Sequence, residues 1–99
     1  MKVSVAIQVL PEAENDAELI RIVDAVIDYI KSSGLNVCVG PFETVIEGES
    51  YDEIMNIVAD CQKVAINAGC KSVSAYVKIV YKPEGGVLTI DEKISKYRK

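Results

Sequence analysis

The sequence predicts an α+β domain with the element order β-α-β-β-α-β, and three observations carry that expectation. Apolar and polar residues alternate at the start of the chain and again between residues 72 and 82. Apolar residues recur at helical spacing after Asn15 and after Ser50. Each helical stretch opens on a capping signature and closes on glycine.

Taken in order, Val3, Val5, Ile7 and Val9 alternate with Ser4, Ala6, Gln8 and Leu10, a strand with one core face that Pro11 is expected to end. Asn15 and Glu18 are spaced as a capping box, and Leu19, Ile22, Val23, Val26, Ile27 and Ile30 form the apolar stripe of the first helix. Gly34 closes it, because glycine accepts the left-handed conformation common at helix ends. Leu35 to Gly40 and Glu43 to Gly48 read as two strands so close together that they must form an antiparallel hairpin around Pro41-Phe42. Ser50 and Glu53 form a second capping box, opening a helix to about Ala68 with Ile54, Ile57, Val58, Cys61, Val64 or Ala65, and Ala68 inward. Gly69 ends that helix. In the last strand, Ser72 to Lys82, Val73, Ala75, Val77 and Ile79 share one face and Ser74, Tyr76, Lys78 and Val80 the other. A turn over Lys82-Pro83-Glu84-Gly85-Gly86 precedes a third capping box, Thr89 to Glu92, and a short basic helix ending Lys96-Tyr97-Arg98-Lys99.

This order, in one domain over residues 1–99, is that of a ferredoxin-like sandwich: a four-stranded antiparallel sheet, two helices on one face, and a short C-terminal helix. The other face, with Leu10, Cys38, Tyr76 and Val80, is too apolar to stand fully solvated, which predicts a homodimer or homotetramer packed through it.

Composition narrows the function. With 15 Asp and Glu against 11 Lys and Arg, the net charge of −4 disfavours a nucleic-acid partner. The chain has no histidine, which removes imidazole metal ligation and Ser-His-Asp or Cys-His chemistry. Cys38, Cys61 and Cys70 show no close metal or redox spacing and read as space-filling residues. No apolar run suits a membrane span and the first residues lack a signal-peptide layout, so the cytoplasm is the expected location.

Candidate binding residues gather around the hairpin, where Gly40-Pro41-Phe42-Glu43-Thr44-Val45-Ile46-Glu47-Gly48 sets an aromatic, a hydroxyl and carboxylates in an apolar context. Thr44 and Glu47 are three apart, so strict alternation puts them on opposite faces unless a bulge intervenes. Phe42 reads first as a core plug, and Glu47 as a solvated strand end. Gln8, an amide among apolar strand residues, faces solvent, an interface or a ligand. Lys78 and Lys82 are edge charges, ion-pair partners or ligand contacts.

Ile7-Gln8-Val9-Leu10-Pro11, Ile27-Asp28-Tyr29-Ile30-Lys31-Ser32-Ser33-Gly34-Leu35, Gly40 to Gly48, Val77-Lys78-Ile79 and Ile90-Asp91-Glu92-Lys93 together resemble the small thiamine-binding proteins, a family long left uncharacterised. The resemblance spans the whole chain. It implies a ferredoxin-like fold, an oligomer with packed sheets, and binding of thiamine or its aminopyrimidine part without turnover and without a cofactor. The implied ligand contacts are Gln8, Phe42, Thr44, Glu47, Tyr76 and Lys78, with Glu47 on the pyrimidine edge or the thiazolium cation and Phe42 or Tyr76 as an apolar wall. The competing expectation is a structural or regulatory homo-oligomer that binds another small metabolite.

Overall fold

The computed structural model describes residues 1–98 and has the expected element order. The strands are β1 (Val3–Pro11), β2 (Asn36–Val39), β3 (Thr44–Gly48) and β4 (Val73–Tyr81), and the helices are α1 (Asp16–Lys31), α2 (Tyr51–Asn67) and α3 (Ile90–Ile94). A 3-10 turn over Ser95–Tyr97 replaces the rest of the expected terminal helix, and Lys99 lies outside the described residues. The sheet order is β2-β3-β1-β4 with every pairing antiparallel, the ferredoxin-like arrangement.

The core lies between the sheet and α1 and α2. Val3, Val5 and Ile7 of the central strand meet Ile22, Val26 and Ile30 of α1 and Ile54, Ile57, Cys61 and Ala65 of α2, all buried. Each such aliphatic side chain contributes about 1.5–3 kcal/mol on burial. The molecule measures 44 × 33 × 21 Å, and its thin axis has room for one sheet and one helix layer only.

β1 ends at Pro11 as expected, with Pro11 itself opposite Val73 of β4, and two other local expectations are corrected. The N–H that proline lacks would point away from β4, toward the side where β3 has already ended at the Ile7–Thr44 pair, so no ladder bond is lost. Of the three capping boxes, only Thr89–Glu92 is reciprocal; Asn15 and Ser50 accept from the Glu18 and Glu53 N–H groups, but the Glu18 carboxylate is taken by Arg21 at 2.6 Å. Phe42 is no core plug: it is 79% exposed at the apex of the hairpin. The Gly40 N–H bonds the Glu43 carbonyl at 2.9 Å, closing Pro41 and Phe42 into a tight turn.

After β4 the chain doubles back. Gly86 has φ +76°, and a Cβ there would lie 2.9 Å from the Met1 carbonyl, so only glycine lets the Val87 N–H bond that carbonyl at 2.7 Å. This return carries α3 over one end of the sheet face that α1 and α2 leave uncovered.

Candidate functional site

Strand register sorts the candidate residues by face. Val3, Val5 and Ile7 point to the helices, and so do their β3 partners Gly48, Ile46 and Thr44. Ser4 and Ala6 point the other way with Glu47 and Val45, and on β4 so do Val80, Lys78 and Tyr76 opposite Ser4, Ala6 and Gln8. Gln8, Glu47, Tyr76 and Lys78 therefore share the open face. Thr44 does not: it is buried toward α1, at a cavity of about 80 Å³ walled by Ile7, Val26, Ile30, Pro41 and Phe42.

The open face has two unlike ends. At one, Glu47 is only 1% exposed. Its Oε1 accepts from the Ile90 N–H at 3.0 Å and from Asn36 Nδ2 at 2.9 Å, and Oε2 lies 3.3 Å from the same Ile90 N–H. A buried carboxylate is tolerated when donors meet it, and here one donor is the first-turn amide of α3. At the other end Gln8 stands directly opposite Tyr76, an exposed ring. Lys78, one pair along on the same face, donates from Nζ to Glu43 Oε1 at 2.9 Å, reaching across the small Ala6 of β1. Glu43 immediately precedes Thr44, so it continues the alternation onto the face of Gln8. That parity was readable in the sequence, yet Glu43 is absent from the expected contact set.

This second end offers, within a few side chains, an amide with donor and acceptor, a flat aromatic face, a carboxylate and an ammonium. Such a set suits a flat, nitrogen-rich ring bearing a positive charge. Gly40 keeps the adjoining turn tight, since a Cβ there would come within 2.8 Å of the Glu43 carbonyl oxygen.

Roomier hollows lie elsewhere: one of about 530 Å³ between α1 and α2 beside Tyr29, Glu53 and Asn56, another of about 410 Å³ by Glu14, Arg21 and Lys71. Neither contains a residue of the expected ligand-contact set. Arg21 in the latter is committed to Glu18 and, at 2.7 Å, to the Ala68 carbonyl. At the former, the hydrogen bond from Tyr29 to Asp60, with burial, pushes the phenol up to about 12. Burial, with Asp60 nearby, raises Cys61 to about 11, which leaves its thiol a core residue and no nucleophile. Among the described residues no group of three or more acidic or cysteine side chains is placed to hold a metal ion, and no helix is long and apolar enough to cross a membrane.

A family model described as thiamine-binding protein matches residues 5–98, nearly the whole chain and both ends of the open face. The chain belongs to the thiamine-binding protein family. A UPF0045 protein of Clostridium perfringens is 46% identical over 95 residues, 96% of each chain. Among solved structures, a DUF77 domain of unknown function from Bacillus cereus superposes with a TM-score of 0.87 at 35% identity, covering 100% of this chain and 92% of the other. A proposed thiamine biosynthesis or salvage protein from Thermotoga maritima superposes with a TM-score of 0.85 at 39% identity, covering 99% and 100%. The coverage means that both ends of the open face fall within the stretch of chain over which these relatives are similar.

Proposed function

We propose that this thiamine-binding family member binds thiamine or its aminopyrimidine part without turning it over, and so buffers, sequesters or delivers it in the cytoplasm. One juxtaposition carries the reading: Gln8 opposite Tyr76, beside the Lys78–Glu43 pair, on a sheet face left open by the helices. The aminopyrimidine has ring nitrogens that accept and an exocyclic amine that donates, and the Gln8 amide offers the complement of each. The thiazolium cation is attracted to the Tyr76 ring and to the Glu43 carboxylate. Lys78, displaced from Glu43, is the group available to a phosphate on the ligand. Phe42 and Thr44 flank the small cavity behind the turn, on the helix side of the sheet, where they bear on the site through the shape of the turn. Glu47, covered by Ile90, joins the site only in a form in which the C-terminal segment has lifted.

The absence of histidine supports a binder over a catalyst. Exposed Leu10, Tyr76 and Val80 on the open face support assembly as a homo-oligomer.

Titration calorimetry of ligand-stripped protein with thiamine, the free aminopyrimidine and thiamine diphosphate tests the reading. Saturable binding at micromolar or lower concentration is expected, with the free aminopyrimidine retaining a measurable share of the affinity. No heat and no thermal stabilisation with any of the three would remove the function and leave the fold as described.

A further inference from the structure

The hollow between the end of α1 and the start of α2 takes no part in the ligand reading above, and its volume of about 530 Å³ falls within the range of small-molecule sites, about 300–1,000 Å³. Tyr29, Ser32 and Ser33 wall it from α1, and Glu53, Asn56 and Ile57 from α2. No lysine or arginine lines it, unlike the hollow by Arg21 and Lys71, where bases and carboxylates stand together.

What the internal hydrogen bonds leave over decides its chemistry. The Tyr29 hydroxyl gives its proton to Asp60 Oδ2 at 2.7 Å, and the Ser32 hydroxyl gives its proton to the Tyr29 carbonyl at 2.6 Å. Both protons are spent within the fold, and each oxygen keeps lone pairs. The bond to Asp60, with burial, holds Tyr29 up at about 12, so it stays a neutral phenol near pH 7. Ser33 accepts from the Leu35 N–H at 3.2 Å and is the one hydroxyl of the three whose proton is uncommitted among the described residues. Glu53 can only accept. Its N–H donates to Ser50 Oγ at 3.2 Å, but its carboxylate does not close a reciprocal box as that of Glu92 does, and it has no hydrogen-bond or ion-pair partner among the described residues. The hollow is thus rich in acceptors and poor in donors.

Charge points the same way. The two helices carry seven carboxylates against three basic side chains, the whole of the chain's net charge of −4. The hollow lies at the C-terminal end of α1, the negative end of its dipole. The nearby bases leave it open: Lys63 stands 4.0 Å from Asp60 with a side chain 78% exposed, and Lys31, two residues on from Tyr29, is turned about 200° around the helix from it. We propose that this hollow is a binding site for a small organic cation that donates N–H bonds, a primary alkylammonium or a guanidinium on a short aliphatic body. The cationic nitrogen donates to the Glu53 carboxylate and to the Tyr29 and Ser32 oxygens, and the methylenes lie against Ile57 and the Tyr29 ring. The thiazolium of thiamine is the wrong cation for it, because a quaternary nitrogen has no N–H to give.

Amide chemical shifts of the full chain, followed during titration with butane-1,4-diamine in about 150 mM salt, where charges more than about 8 Å apart are screened, test the site. Saturable shifts gathered at Ser32, Ser33, Glu53 and Asn56 are expected. Butane-1,4-diol, which has no charge, and the fully N-methylated diamine, which is charged but has no N–H, are each expected to bind at least about tenfold more weakly. Equal binding of the diol would overturn the cation, and equal binding of the methylated diamine would overturn the N–H recognition. Glu53→Gln is expected to weaken the diamine about tenfold, while Asp24→Asn, which removes the same charge from an exposed position elsewhere on α1, is expected to change it by less than about twofold. Equal losses in the two variants, shifts spread over the whole helix layer, or no saturation by about 10 mM diamine would overturn the site and leave only counter-ion attraction. If Glu53→Gln fails to fold, Ser32→Ala decides: a loss of about threefold or more supports the site, and unchanged affinity overturns it. Thiamine is absent from these titrations, so their outcome stands whether or not the ligand reading holds.

Discussion

Glu43 and Glu47 sit on the same face of the sheet, a few residues apart along one strand direction, and have opposite fates. Glu47 is buried under Ile90 and accepts from that residue's amide and from Asn36, whereas Glu43 keeps a side chain 36% exposed and holds Lys78. What separates them is the C-terminal return, which covers one end of the face and stops short of the other. A carboxylate met by fixed backbone donors is part of the scaffold, while one met by a flexible ammonium is free to exchange partners with a ligand.

The largest effect that would break this contrast is at Glu47. Glu47→Ala leaves the buried Ile90 N–H without an acceptor and frees Asn36, so a loss of about 2–3 kcal/mol in unfolding free energy is expected. Chemical denaturation measures it; a change within about 0.5 kcal/mol, typical of a surface site, would mean that the anchor does not hold α3. At the other end the expectation reverses. Glu43→Ala and Gln8→Ala are expected to leave stability nearly unchanged and to weaken thiamine binding roughly tenfold, about 1.4 kcal/mol. Calorimetry beside thermal unfolding checks both halves, and a variant that loses stability while keeping its affinity would exchange the roles assigned to the two ends.

Much of this was legible before the fold. The alternation of Val3, Val5, Ile7 and Val9, the stripes around Ile30 and Ile54, and the glycine stops at Gly34 and Gly69 are local patterns, and local physics sets them. So was the separation of Thr44 from Glu47, which parity alone requires. What could not be read is the burial of Glu47, because its donor Ile90 is 43 positions away and nothing in Glu47-Gly48-Glu49 announces it. Phe42 misled for a related reason. Hydrophobicity alone sends the only phenylalanine inward, but a turn apex fixes the direction of the backbone before packing has a choice. Glu43 was passed over although the sequence set it at the start of the second hairpin strand, where its parity with Gln8 was readable.

The smallest effect bears on how firmly the covered end is shut. The reciprocal cap of α3 depends on the Glu92 carboxylate, which accepts from the Thr89 N–H at 2.9 Å while the Thr89 hydroxyl accepts from the Glu92 N–H. Those backbone and side-chain bonds with Thr89 hold the Glu92 carboxyl below its ordinary value of 4.5. A carboxyl depressed in the folded state stabilises it fully above the unfolded value and ceases to do so as pH falls through the folded one. The cap is therefore expected to be intact above about pH 5 and to weaken progressively as acid is added below 4.5. Chemical shifts of the Thr89 and Ile90 amides followed from pH 6 down to about pH 2 would report it, with Glu92→Gln as the comparison. A transition at Thr89 that disappears in Glu92→Gln would assign the cap's acid response to Glu92. The same transition in both proteins would place the titrating group elsewhere and leave the closure of this end to Glu47 and Gly86 alone.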